Sequence, residues 1–222
     1  MLKKYKITAI LLVGLVTTSV NADILYSNGT LDGNTNALTL GGGLVVADSF
    51  TLASNSIVTG VSFDTWSAFS QDVTNIDWAI TSTAGGSVLA SGTQTSVFAS
   101  DLSINNQGYV LDLNAFQVPS QYLTVGTYWL QLTNATTTSG QQASWDINSA
   151  SANAGPSLSW TNATGQFSAA NPCSGVLAIG TTQCSSPFQI VGNVPEPAPI
   201  ALLLASGFLV FGISVRRKAN QV

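Results

Sequence analysis

The residues that could carry chemistry are few and of one kind. Between Asp23 and Val194 the chain has nine Asp and no Glu, Lys, Arg or His, so acid–base work there falls to carboxylates. Two of them at the right separation suffice for glycoside hydrolysis, but a proton-donating acid needs a buried carboxyl. Most of the nine stand in polar or turn-like surroundings, as in Asp32-Gly33, Gln71-Asp72 and Ser100-Asp101. Solvated surface charge is the expectation for them. Calcium is the better use of such groups, because hard oxygen ligands are all it requires. Asp64, Asp72 and Asp77 lie around one expected strand–loop–strand connection and are the candidate ligands. No Asp-x-Asp-x-Asp-Gly loop accompanies them, and no other cofactor is indicated.

Aromatic residues offer a second kind of site. An exposed Trp beside Asp, Asn and Thr gives apolar area with polar groups at its rim, which suits the face of a sugar ring. Trp78 is in phase with Ile76 and Ile80 and is expected in the core. Trp129 is out of phase with Tyr128, Leu130 and Leu132 and is expected to face outward, unless a loop or second sheet covers it. Trp66 and Trp160 fall near strand ends, so Trp66, Trp129 and Trp160 are the glycan-binding candidates. Phe63-Asp64-Thr65-Trp66 is similar to half of an aspartic-protease Asp-Thr-Gly loop, but Trp66 replaces the glycine and no second copy exists.

Charge placement removes several functions. Lys3, Lys4 and Lys6 stand at one end of the chain, Arg216, Arg217 and Lys218 at the other, and no cation lies between. Nucleic-acid binding needs phosphate neutralisation by such side chains. A P-loop lacks its Lys, and Ser-His-Asp or Cys-His catalysis and His-ligated zinc lack their imidazoles. Cys173 and Cys184 are the only cysteines. In an exported chain they are expected to form a disulfide, worth ~3 kcal/mol in the chain-entropy account.

The elements that would position these groups are strands. Glu, Lys, Arg and Met are missing from the body, which removes good helix formers. Apolar residues recur with period two in Ile57/Thr59/Val61/Phe63, Ile76/Trp78/Ile80, Tyr109/Leu111/Leu113, Tyr128/Leu130/Leu132 and Trp145/Ile147. Further strands are expected near 44–47, 49–52, 87–90, 95–98, 174–179 and 187–191, separated by Gly- and Asn-rich turns. About ten short strands with polar outer faces predict one all-β domain over 23–193. The expected form is an antiparallel, jelly-roll-like β-sandwich, with a barrel as the alternative.

The two ends set the address. Residues 1–22 have a basic start, an apolar stretch from Ile7 to Val16, and Val20-Asn21-Ala22, which suits a signal-peptidase cut after Ala22. Ala198 to Val215 is uncharged and as a helix spans about 27 Å, near the thickness of a bilayer's hydrocarbon core. Arg216-Arg217-Lys218 follows directly, which places the tail in the cytoplasm and residues 23–197 outside. Just before the span stands Val194-Pro195-Glu196-Pro197, kept extended by its prolines.

This order over 194–218, of tetrapeptide, transmembrane helix at 198–215 and basic tail at 216–218, resembles the PEP-CTERM sorting signal of Gram-negative bacteria. The resemblance implies recognition by an exosortase, a membrane transpeptidase or protease, with Pro195, Glu196 and Pro197 as recognition residues and Arg216 and Arg217 as the inner stop. It also implies association with exopolysaccharide and biofilm. The stretches from Val46 to Leu52, Ile57 to Phe63 and Gly126 to Leu132 resemble β-rich ectodomains that precede such tails and that lack an assigned activity. The expected function is that of an exported surface or matrix protein without catalysis. It would be anchored transiently in the inner membrane, with exosortase, signal peptidase and exopolysaccharide as partners. The alternative is a β-sandwich that binds, or less readily hydrolyses, a glycan.

Overall fold

The computed structural model describes residues 22–29, 36–68, 72–95, 97–147, 159–161, 166–169 and 185–195. The signal segment before Ala22, the strand expected at 174–179, the Cys173–Cys184 pair, and Glu196 with everything after it lie outside the described residues. Every regular element among the described residues is a strand: β1 (Asp23–Ser27), β2 (Asn36–Thr39), β3 (Val45–Leu52), β4 (Ser56–Ser67), β5 (Val73–Thr81), β6 (Val88–Gln94), β7 (Phe98–Ile104), β8 (Val110–Leu123), β9 (Gly126–Thr137), β10 (Ser144–Ile147), β11 (Ser159–Thr161), β12 (Phe167–Ala169) and β13 (Phe188–Asn193).

These strands form two antiparallel sheets. One has six strands in the order β12-β11-β3-β9-β5-β6. The other has seven, built around β4, which pairs along one edge with β8 and along the other with β13 and then β10. β7 extends that sheet beyond β8, β1 beyond β13, and β2 beyond β10. The chain crosses repeatedly between sheets, as from β3 to β4, β4 to β5 and β8 to β9. Both sheets contribute to a single core: Val58, Val61, Phe63, Phe116, Trp145 and Phe188 from one, and Phe50, Leu52, Ile76, Ile80, Leu130 and Leu132 from the other. Phe50 meets Phe188 edge-on at 6.3 Å, and Trp78 meets Phe116 at 6.3 Å, so aromatic rings bridge the gap between the sheets. The result is an all-β, sandwich-like fold of two separate sheets, not a closed barrel.

Two phase readings change. Val58 is fully buried while Ile57 is only half-buried, because register slips between Val58 and Gly60 against both neighbours of β4. An extra residue in a strand exchanges its two faces, so Ile57 and Val61 do not share a face as period two implies. On the β8 side, Gln121 opposes Val58 and Gln117 opposes Gly60. The intervening residues include Pro119, which has no N–H to give a ladder. Along β8 itself, Asp112, Asn114 and Phe116 are buried, as is Leu111, while Tyr109 is 41% exposed and Leu113 half-buried. The inward phase of this strand is thus the polar-looking one.

Gly192 sits where β13 accommodates the same slip. A Cβ there would overlap the Ile57 carbonyl oxygen and crowd Leu25, and backbone cannot swing aside as a side chain can. Gly192→Ala is expected to lower stability by about 1–3 kcal/mol, the usual cost of overpacking. Urea unfolding checks this: an unchanged midpoint would mean the bulge relaxes freely.

Candidate functional site

The carboxylates depart most from the solvated surface charge expected of them. Asp48, Asp64, Asp112 and Asp146 are buried. Each stands in a strand, where its neighbours' alternation, more than local polarity, decides which way it faces. Asp48 is the most heavily bonded. Its Oδ2 accepts hydrogen bonds from Ser185 Oγ (2.7 Å), Ser186 N (2.7 Å) and Asn28 Nδ2 (3.2 Å), and its Oδ1 accepts from Ser49 N at 2.7 Å. Asn28 also donates to Ser185 Oγ and, at 2.8 Å, to the Ser186 carbonyl. Asn28 follows β1 and Ser185-Ser186 precede β13, both in the seven-stranded sheet, whereas Asp48 is on β3 of the six-stranded one. The cluster therefore stitches the sheets together. Burial pushes the Asp48 carboxyl up to about 7, against hydrogen bonds from Ser185, Ser186 and Ser49 that pull it down. Burial, then the nearby Asp48 charge, pushes the Tyr26 hydroxyl up to about 12.

A second polar cluster lies near the end of β4. Ser67 Oγ donates to Asp112 Oδ2 at 2.6 Å, and Asn114 Nδ2 donates to Thr65 Oγ1 at 2.8 Å. Trp66, between Thr65 and Ser67, turns to the other face of the sheet, where its indole N–H donates to buried Asp146.

The proposed calcium ligands do not converge. Asp64 is on β4 of one sheet, Asp77 on β5 of the other, and Asp72 is an exposed residue just before β5. Both Asp77 oxygens are already used: Oδ1 by Thr93 Oγ1 at 2.5 Å and Oδ2 by Asn134 Nδ2 at 2.8 Å. Asp77 thus ties β5 to β6 and to the bulge of β9, where Asn134 adopts a left-handed φ of 51°. No group of three metal-ligating side chains occurs among the described residues. Strand proximity in sequence misled here, because β4 and β5 are joined across the sandwich.

The tryptophans separate by role. Trp78 and Trp145 are in the core, and Trp129 is half-buried on β9 opposite Ser49 and Thr81. Trp160 is on β11, and its side chain lies outside the described residues. Trp66 is not an open platform, being only 6% exposed. Tyr109 stacks on it with ring centroids 5.7 Å apart and planes at 31°, so the accessible aromatic face is that of Tyr109, which period two had grouped with Leu111 and Leu113.

These two rings belong to a groove of about 240 Å³ that also presents Gln107, Gln141, Gln142 and Ser144. Two tight turns form its walls. In one, Asn105 Oδ1 accepts from Gln107 N and Tyr109 N at 3.0 Å each, and Gly108 takes a left-handed φ of 84°. In the other, Gly140 N reaches Thr137 O at 2.8 Å, Thr137 N reaches Gln141 O at 2.8 Å, and Gly140 has φ 77°. Gln142 lies over Gly41, where a Cβ would stand 2.7 Å from the Gln142 amide. A second cavity of about 350 Å³, lined by Ser62, Asp64, Leu102, Leu113 and Gln189 among others, lies further back along β4. Sequence reasoning found Trp66 but missed the glutamines, because only tertiary structure brings the two turns together.

The Asp48 cluster gives a pH prediction. The folded carboxyl keeps its proton up to about pH 7, whereas an unfolded Asp releases it near ~3.9. Its stabilising contribution is therefore complete below the unfolded value and is lost as pH rises through about 7. Thermal unfolding between pH 4 and 8 is expected to show this loss, on the order of 4 kcal/mol from this group, and Asp48→Asn is expected to flatten the profile. An equal slope in the variant would assign it to another group. No family model matches the chain, and no curated protein matches it either.

Proposed function

We propose that the chain is an exported cell-surface or extracellular-matrix protein of a Gram-negative bacterium, sorted by its C-terminal signal and without catalytic activity. The observation that carries this reading is the sequence order at the end of the chain: Val194-Pro195-Glu196-Pro197, the uncharged stretch 198–215, and Arg216-Arg217-Lys218. The fold is compatible with processing there. Asn193, the last residue of β13, still pairs with Ile57, and Val194 directly after it is 48% exposed. A processing enzyme could therefore take the tetrapeptide without drawing a strand out of the sheet.

The carboxylates support the non-catalytic part. Asp48, Asp77, Asp112 and Asp146 accept hydrogen bonds that fix strands to one another, and the body carries no imidazole, amine or guanidinium to act with them. In this reading the sandwich has jelly-roll-like connectivity, and signal peptidase and an exosortase-type enzyme are its processing partners. The released domain takes its place beside exopolysaccharide.

Replacing Pro195, Glu196 and Pro197 together with Ala tests the sorting claim. The expected outcome is unprocessed chain retained in the inner-membrane fraction. Processing and release equal to those of the unaltered protein would refute it.

A further inference from the structure

We infer that the groove between the 105–109 and 137–142 turns is a binding site for an uncharged polysaccharide. This goes beyond the sorting reading and does not rest on it, since the site belongs to the folded body wherever that body is delivered.

The lining selects the ligand class. Gln107, Gln141 and Gln142 each carry one acceptor and two donors in a single side chain, which matches sugar hydroxyls, themselves both donors and acceptors. Tyr109 supplies the apolar face on which the C–H side of a pyranose packs. No cation lines the groove, so nothing there would neutralise a phosphate, sulfate or uronate. The nine Asp of the body add a field that repels anionic polymers.

The groove is also held in shape before any ligand arrives, which reduces the ordering cost of binding. Trp66 is fixed from behind by its indole bond to Asp146 and from the front by the Tyr109 ring. Gln107 and Tyr109 sit in a turn whose amides are tied to Asn105. Gln142 is seated against Gly41, where the lack of a side chain makes room for its amide.

Affinity electrophoresis tests this with the folded protein run through gels containing hydroxyethylcellulose, dextran, galactomannan or polygalacturonate. The expected result is retardation by at least one of the three neutral polymers and none by polygalacturonate. Tyr109→Ala should weaken the effect about tenfold, equivalent to roughly 1.4 kcal/mol. Gly41→Ala, which displaces the Gln142 side chain from its Cγ outward, should weaken it severalfold. Trp129→Ala, on the other sheet, should leave it unchanged. Melting curves establish that each variant is folded. Absence of retardation by every neutral polymer would overturn the proposal, as would retardation that folded Tyr109→Ala retains or that Trp129→Ala abolishes. None of these outcomes bears on tail processing, so the two readings fail separately.

Discussion

A domain without a cation must hold its buried carboxylates by neutral donors alone, and much of this structure follows from that constraint. Ion pairing is the common way to keep a carboxylate inside a protein, and between Asp23 and Val194 there is nothing to pair with. The substitutes are hydroxyls, amides, an indole and backbone N–H groups: Ser185, Ser186, Ser49 and Asn28 around Asp48, Ser67 at Asp112 and Trp66 at Asp146, and half-buried Asp77 is held the same way by Thr93 and Asn134. The abundance of Ser, Thr and Asn in the chain thus has a use inside the fold as well as on its surface. Where the carboxyl is ionised each such hydrogen bond contributes about 1.5–3 kcal/mol, and Asp48 reaches that state only as pH rises through about 7.

The same bonds set the architecture. Apolar burial brings the two sheets together without fixing their relative placement, since hydrophobic contact is not directional. Direction comes from the polar stitches. Asp48 on β3 holds both the segment after β1 and the one entering β13, and so ties one sheet to the other; Asp77, within the six-stranded sheet, holds β6 and the β9 bulge to β5. The outer face near the end of β4 is organised likewise, because Asp146 orients the Trp66 ring on which Tyr109 rests.

Period two made the long strands legible. β5 and β9 lie where alternation places them, whereas β3 is one strand over Val45–Leu52 where two short ones near 44–47 and 49–52 were expected, and the shortage of helix formers agrees with strands being the regular elements among the described residues. β1, β2, β11 and β12 were not foreseen: they have only three to five residues, and β2, β11 and β12 lack a pair of large apolar residues two apart such as Trp145 and Ile147, which marked the equally short β10. The phase of β4 was misread because a bulge leaves no mark in composition, and that of β8 because Asp112 and Asn114 look like surface residues. The calcium trio failed for a topological reason: neighbours in sequence were carried to opposite sheets. The groove was half legible, through Trp66, and its glutamines were not, since two turns far apart in sequence meet only in the folded chain.

Export with removal of both ends, as proposed, would leave a body containing no Lys or Arg, and therefore no bond that trypsin cleaves. The most direct measurement is the intact mass of protein recovered from the cell envelope or medium, denatured, before and after trypsin. The account predicts a single species bounded near Asp23 and Val194 whose mass trypsin does not change. A heavier species that trypsin trims at both ends would contradict it.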